Sequence, residues 1–145
     1  MYRKIQKQIN KKLYFSEKVI WSYVIQLING LKALHNLQIM HRDLKSLNIF
    51  FCKDNILKIG DLNVAKVTKN KFLYTIAGTP NYCSPEVWKG HPYNFKSDIW
   101  SLGCVIYEIC SLRPPFDINN QSKLKKQILT GDYKSIPSHY SVELY

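Results

Sequence analysis

Residues 41–48 read His-Arg-Asp-Leu-Lys-Ser-Leu-Asn, which gathers an imidazole, two cations, a carboxylate and a carboxamide in one short stretch. A second carboxylate, Asp61, follows Asp43 by 18 residues. A carboxylate can orient or take up the proton of a hydroxyl within reach. Carboxylate and amide oxygens are the ligands a hard cation such as Mg²⁺ prefers. Phosphoryl transfer draws on both, because the charge of the transferred group has to be neutralised by metal. Asp43 alone reads as a surface carboxylate. Beside Arg42, Lys45, Asn48 and Asp61 at these spacings, it becomes a candidate for that chemistry.

The elements that must hold these groups are legible as periodicities. Arg3, Lys4, Lys7, Lys11, Lys12 and Lys18 face one acid, Glu17, and Ile5 and Ile9 sit four apart, so a short amphipathic helix is expected. Ser16 is a candidate N-cap, with Glu17 in the first turn. Ile20, Tyr23, Val24, Leu27, Leu31 and Leu34 then predict a long helix ending near Asn36. Residues 49–51 and 56–59 read as strands joined by a turn at Lys53-Asp54-Asn55. Residues 61–95 are rich in Gly, Pro, Asn and Thr and read mostly as loop. Residues 97–111 are apolar nearly all round, as a central buried helix would be, and Pro114 and Pro115 stop the chain from continuing helically. A last amphipathic helix is expected over 120–129.

Composition narrows the classes. The chain has 145 residues, of which 46% are hydrophobic and 13% aromatic, enough apolar material for a core. Global disorder, a membrane-spanning helix and a secretory leader are not expected. Lys and Arg number 21 against 10 Asp and Glu, a net +11 that allows an acidic partner. The lysines of residues 3–18 read as a solvated helix face, and no RNP-type or zinc-knuckle motif accompanies the Tyr- and Lys-rich stretches. Cys52, Cys83, Cys104 and Cys110 have no CxxC spacing and read as free thiols, Cys104 and Cys110 as small buried hydrophobes. Trp88, Trp100 and Tyr107 read as core aromatics.

Four further stretches follow one another in a recognisable order: Asp61-Leu62-Asn63, GTPNYCSPE (78–86), SDIWSLGCVIYEI (97–109) and PPF (114–116). Together with HRDLKSLN, they resemble the C-terminal lobe of a eukaryotic protein kinase over nearly the whole chain. At about 5% per residue, the five specified residues of the catalytic-loop motif would arise by chance on the order of once in tens of thousands of such chains. Lys45, two after Asp43, is the serine/threonine-kinase pattern. FSEKVIWSYVIQLINGLKALH, HRDLKSLNIF, SDIWSLGCVIYEIC and HYSVELY are similar to the NIMA-related (Nek) kinases. The resemblance implies a mainly α fold with short β hairpins, a protein-kinase-like C-lobe (α+β) incomplete at both ends. Residues 1–145 would form a partial kinase domain from about helix D to just after helix G, with a catalytic loop at 41–48 and an activation segment at 61–86.

It also implies roles. Asp43 would be the base toward a Ser or Thr hydroxyl of a protein substrate. Asn48 and Asp61 would bind Mg²⁺, and Lys45 would contact the γ-phosphate of ATP. Thr79 would pair with Asp43 and Lys45, and Phe50 would form the floor beneath adenine. Arg42 would bind a phosphate on the activation loop, with Thr75 the first phosphosite and Thr68 the second. His41 would pack on Leu62 and orient the metal-binding turn. Glu86 and Asp98 would be structural, Asp98 holding the catalytic-loop backbone. ATP, Mg²⁺ and protein substrates are expected, with no nucleic acid. An intracellular, cytoplasmic address is expected, and the Nek-like features add an association with cytoskeleton or cilium.

Departures from the pattern matter as much. Asp61-Leu62-Asn63 replaces Asp-Phe-Gly, and Asn63 is expected to supply the positive φ that glycine would. Ser84 stands for the usual alanine before Pro85-Glu86. No G-x-G-x-x-G loop, V-A-I-K lysine, helix-C glutamate or late arginine for Glu86 stands in these residues. This polypeptide by itself is therefore expected to have negligible activity, with an apolar patch exposed where the family's last helices would pack. The alternative is a non-catalytic truncated kinase or pseudokinase acting as a protein-binding module.

Overall fold

The computed structural model describes residues 1–68, 73, 78–116 and 120–144. Helix α1 (Tyr2–Lys11) ends at Lys12, which turns left-handed at φ 54°. Its apolar contact is Ile5, which is buried, whereas Ile9 is exposed. Helix α2 (Glu17–Asn36) buries Ile20, Tyr23, Val24, Leu27 and Leu31 along one stripe, and Ser16 precedes it without a side-chain cap bond.

Two small antiparallel ladders follow. Strand β1 (Ile39–Met40) pairs with β4 (Lys66–Val67), Ile39 opposite Val67 and Met40 opposite Lys66. Strand β2 (Ile49–Phe51) pairs with β3 (Leu57–Ile59), Ile49 opposite Ile59. The turn between β2 and β3 puts Asp54 and Asn55 at φ 57° and 58°. Asp and Asn are the non-glycine residues that tolerate this region best.

Helix α3 (Pro85–Trp88) starts with proline at its first position. Helix α4 (Phe95–Ser111) begins two residues before the expected start, because the Asn94 side chain accepts the Lys96 N–H at 2.8 Å and caps it. Helix α5 (Gln121–Thr130) is capped by Asn120 on the Lys123 N–H and ends at Gly131, φ 67°. The core lies between α2 and α4, where Ile20, Leu27 and Leu31 join Val105 and Ile109 in one cluster. Burying each such side chain stabilises by roughly 1.5–3 kcal/mol.

Helix α4 is central, yet it carries buried Ser97, Asp98, Ser101, Glu108 and Ser111, and Ile99 is exposed. Of these, Asp98, Ser101 and Glu108 bond to the segments that carry the candidate site. Beside it, Trp100, Tyr107, Phe116, Tyr133 and Leu144 line an apolar cavity of about 280 Å³. Cys104 and Cys110 are buried free thiols, both pushed up to about 12 by burial. Among the described residues, no helix is long and apolar enough to cross a membrane.

Candidate active site

The loop between β1 and β2 is pinned from below. The buried Asp98 carboxylate of α4 accepts the His41 N–H through Oδ2 and the Arg42 N–H through Oδ1, both at 2.9 Å. His35 Nε2 lies 2.8 Å from the same Oδ2. Arg42 holds φ 67°, a left-handed conformation that costs about 1–2 kcal/mol for a non-glycine residue. Hydrogen bonds to a charged acceptor contribute roughly 1.5–3 kcal/mol each and offset that strain. Gly78, at φ 107°, is required here: a Cβ would stand 2.5 Å from the Arg42 carbonyl oxygen.

Three side chains close a triangle above this loop. Thr79 Oγ1 donates to Asp43 Oδ1 at 2.6 Å, Lys45 Nζ donates to Thr79 Oγ1 at 2.8 Å, and Lys45 Nζ lies 2.7 Å from Asp43 Oδ2. Burial pushes the Asp43 carboxyl up, but the bonds from Lys45 and Thr79 and the Lys45 charge outweigh it and hold it below its ordinary value.

The β2–β3 hairpin brings a second oxygen donor alongside. The Gly60 N–H bonds to the Asn48 carbonyl at 2.9 Å, so Asp61 emerges next to Asn48. The Asn48 amide donates to the Asp43 carbonyl at 2.9 Å and to Asp43 Oδ2 at 3.3 Å. Its NH₂ is thereby used, and Oδ1 is the oxygen left to face a cation. Asp61 is exposed at φ 61°. Asn63 is not among the described residues with positive φ. The expectation for Asn63 is corrected: the left-handed conformation in this turn sits on Asp61, two residues earlier.

His41 is fully buried and reaches the turn through Gly60. Its Nε2 lies 3.0 Å from the Gly60 carbonyl while its Nδ1 takes the Asp43 N–H at 3.3 Å. A carbonyl only accepts, so Nε2 carries the proton. Leu62 is exposed at 46%, and the hold on the turn runs through backbone. Phe50 is exposed at 51% and lays its ring over Gly60, where a Cβ would come within 2.9 Å of Phe50 Cε2.

The remaining expected residues are spread around this centre. The Arg42 guanidinium donates to the Val64 carbonyl and, at 3.3 Å, to the Tyr93 hydroxyl. Thr75 lies outside the described residues. Thr68 is 3% exposed, and its hydroxyl is buried without a partner among the described residues. Glu86 accepts the Ser97 hydroxyl at 2.6 Å. Burial raises its carboxyl, but the Ser97 bond and its neighbours bring it below the ordinary value.

Four residues near the site escaped the sequence reading: His35, Ser46, Tyr82 and Glu108. Ser46 Oγ donates to Glu108 Oε1 at 3.1 Å, and the Tyr82 hydroxyl donates to Glu108 Oε2 at 2.7 Å. The signal for Glu108 was its place inside the apolar run Cys-Val-Ile-Tyr-Glu-Ile-Cys, since a polar group in a buried helix demands partners; nothing in the sequence says which hydroxyls supply them.

The donor set suits a hard cation. Among the described residues, no three His, Cys, Asp or Glu side chains form a metal cage. One carboxylate and one amide oxygen, with the rest of the shell from water and phosphate, is a common arrangement for Mg²⁺.

Comparison with known proteins identifies the family. Residues 1–143 match the family described as Protein kinase domain. The chain is 42% identical to the probable serine/threonine-protein kinase nek2 of Dictyostelium discoideum over 97% of its own length and 34% of that protein. It is 40% identical to mouse serine/threonine-protein kinase Nek4 over 99% of its length, and 44% identical to zebrafish Nek8 over 97%. It spans only 18% of Nek4 and 20% of Nek8. A mostly helical fold around an HRD loop, with a match over residues 1–143, places the chain in the protein kinase domain family, with Nek serine/threonine kinases among its relatives.

Proposed function

We propose that these residues transfer the γ-phosphoryl group of ATP to Ser or Thr hydroxyls of protein substrates, as the catalytic lobe of a serine/threonine kinase. The carrying observation is the closed Asp43–Lys45–Thr79 triangle beside Asn48 and Asp61. Asn48 Oδ1 and the Asp61 carboxylate would hold Mg²⁺, which, when bound, neutralises charge on the phosphates. Lys45 lies where it can steady the transferred group. Asp43, held below the ordinary carboxylate range, is a weak base at neutral pH. Its role is to orient the incoming hydroxyl and to take its proton late, as a loose transition state requires. Phe50, half exposed, would offer its ring as the floor beneath adenine.

Arg42 would receive an activation-loop phosphate, exchanging its Val64 and Tyr93 contacts for a bidentate pair. Four cysteines without a disulfide fit a reducing, cytoplasmic compartment. The 145 residues carry no glycine-rich phosphate loop, so transfer is to be read in a protein that supplies one. The test is Asp43→Asn in the active kinase that contains this sequence. A loss of roughly 10²–10⁴-fold in kcat is expected, with nucleotide binding retained. Normal phosphorylation by the variant would refute the assignment.

A further inference from the structure

We infer that Ser46 is a positioning residue of this site, acting through the buried Glu108 carboxylate that it shares with Tyr82. The catalytic-loop motif leaves position 46 unspecified. Here it is a serine with 1% exposure, directly after Lys45 and two before Asn48. Its hydroxyl gives its hydrogen to Glu108 Oε1, and Tyr82 gives its own to Glu108 Oε2.

Tyr82 belongs to the segment that carries Thr79. Its N–H bonds to the Thr79 carbonyl at 2.9 Å, and its own carbonyl takes the Ser101 hydroxyl of α4 at 2.8 Å. One carboxylate on α4 therefore receives a hydroxyl from each of the two segments that supply Lys45 and Thr79. Those two side chains meet at 2.8 Å directly above. Both oxygens are engaged, so sliding either segment breaks a hydrogen bond to a buried carboxyl group and leaves a polar partner unmet. Burial pushes the Glu108 carboxyl up, opposed by Tyr82, Ser46 and the Met1 ammonium, and it ends above its ordinary value. Such a desolvated acceptor has few substitutes for its two hydroxyls.

The inference rests on reading the triangle as catalytic, so its test reads geometry and not transfer. The Lys45 side chain reports the triangle, because its Nζ lies 2.8 Å from Thr79 Oγ1 and 2.7 Å from Asp43 Oδ2. Its ammonium is followed by side-chain nitrogen NMR at one fixed pH in the 145-residue chain and in Ser46→Ala, Ser46→Thr and Tyr82→Phe. In Ser46→Ala and in Tyr82→Phe the Lys45 signal should move toward that of the solvated lysines and lose its order. Ser46→Thr, which keeps the hydroxyl, should restore it. A merely structural role would lower stability and leave that signal in place. An unmoved signal in the folded Ala and Phe variants overturns the proposal. If Ser46→Ala does not fold, Tyr82→Phe decides by the same criterion. A signal that moves in a protein whose parent fails the Asp43→Asn test supports the positioning role and sinks only the kinase reading.

Discussion

The Thr79 hydroxyl donates to Asp43 at 2.6 Å across 36 residues of sequence, and Lys45 donates to the same hydroxyl. Thr79→Val removes donor and acceptor together while keeping the shape. The folded Asp43 value lies below the ordinary 3.8, so ionised Asp43 stabilises the fold above that pH. This stabilisation disappears as pH falls through the folded value. Thr79→Val should raise the folded value and shrink the acid-dependent part of the stability curve. Urea unfolding over an acid pH series measures this, and an acid limb identical to that of the parent would contradict it.

Asp98 offers four lone-pair positions to three donors. Asp98→Asn replaces one oxygen by an NH₂ that faces an N–H, leaving a buried donor unpaired. The expected loss is roughly 2–4 kcal/mol in urea denaturation. Amide exchange at His41 and Arg42 should accelerate more than exchange in α2. A loss below about 0.5 kcal/mol, the size of an ordinary surface substitution, would remove Asp98 from this role.

Gly60 is glycine because the Phe50 ring lies on it. Gly60→Ala should cost about 0.5–1.5 kcal/mol, as the half-exposed Phe50 ring is turned off its rotamer. Adding Phe50→Leu should recover part of that cost, and a double-mutant cycle reads the coupling. Strict additivity of the two changes would show that the contact is not the cause.

Glu108 has the opposite pH signature to Asp43. Its folded value is raised above the ordinary 4.5, so the folded state keeps a proton that the unfolded chain has released. Stability should fall as pH rises from the ordinary value through the raised one. Glu108→Gln should flatten that decline, at a roughly constant cost of about 1–3 kcal/mol for the lost acceptor. Denaturation midpoints followed from acid to neutral pH check both. A slope equal to the parent's would rule the carboxyl out as its source.

Much of this fold follows from local pattern. The 3.6-residue stripe from Ile20 to Leu31 placed α2, and strand-like runs either side of an Asp-Asn turn placed β2 and β3. The caps were read less well: Asn94 opens α4 through a side-chain bond, which moved its start, whereas Ser16 makes none. The β1–β4 pair was missed because two-residue strands carry no period and their partner lies far along the chain. Asp43, Lys45, Asn48 and Asp61 were legible because their types and spacing are dictated by chemistry. Ser46 and Tyr82 were not, because a hydroxyl that serves by reaching a buried carboxylate looks in sequence like any other. The turn at Asp61 was half legible: the need for a left-handed residue was visible, but which residue adopts it depends on how the hairpin delivers the chain.

The β1–β4 ladder has a consequence for persistence. Asp43, Lys45, Asn48 and Asp61 all lie on the stretch between Met40 and Lys66, so they are strung on one loop with the ladder as its clasp. The Thr68 N–H on the Gln38 carbonyl, at 2.9 Å, adds one more link, and Val67 at 61% exposure leaves the clasp wet. Its Lys66–Val67 side is exposed, whereas Met40 across from it is fully buried, so that side should lift well below the free energy that unfolds the α2–α4 core. When it lifts, the chain after Asp61 gains freedom first, while Asp98 still holds the His41 and Arg42 backbone. The site thus loosens from its Asp61 end, and Asp43 and Asn48 stay tied to α4 and the hairpin.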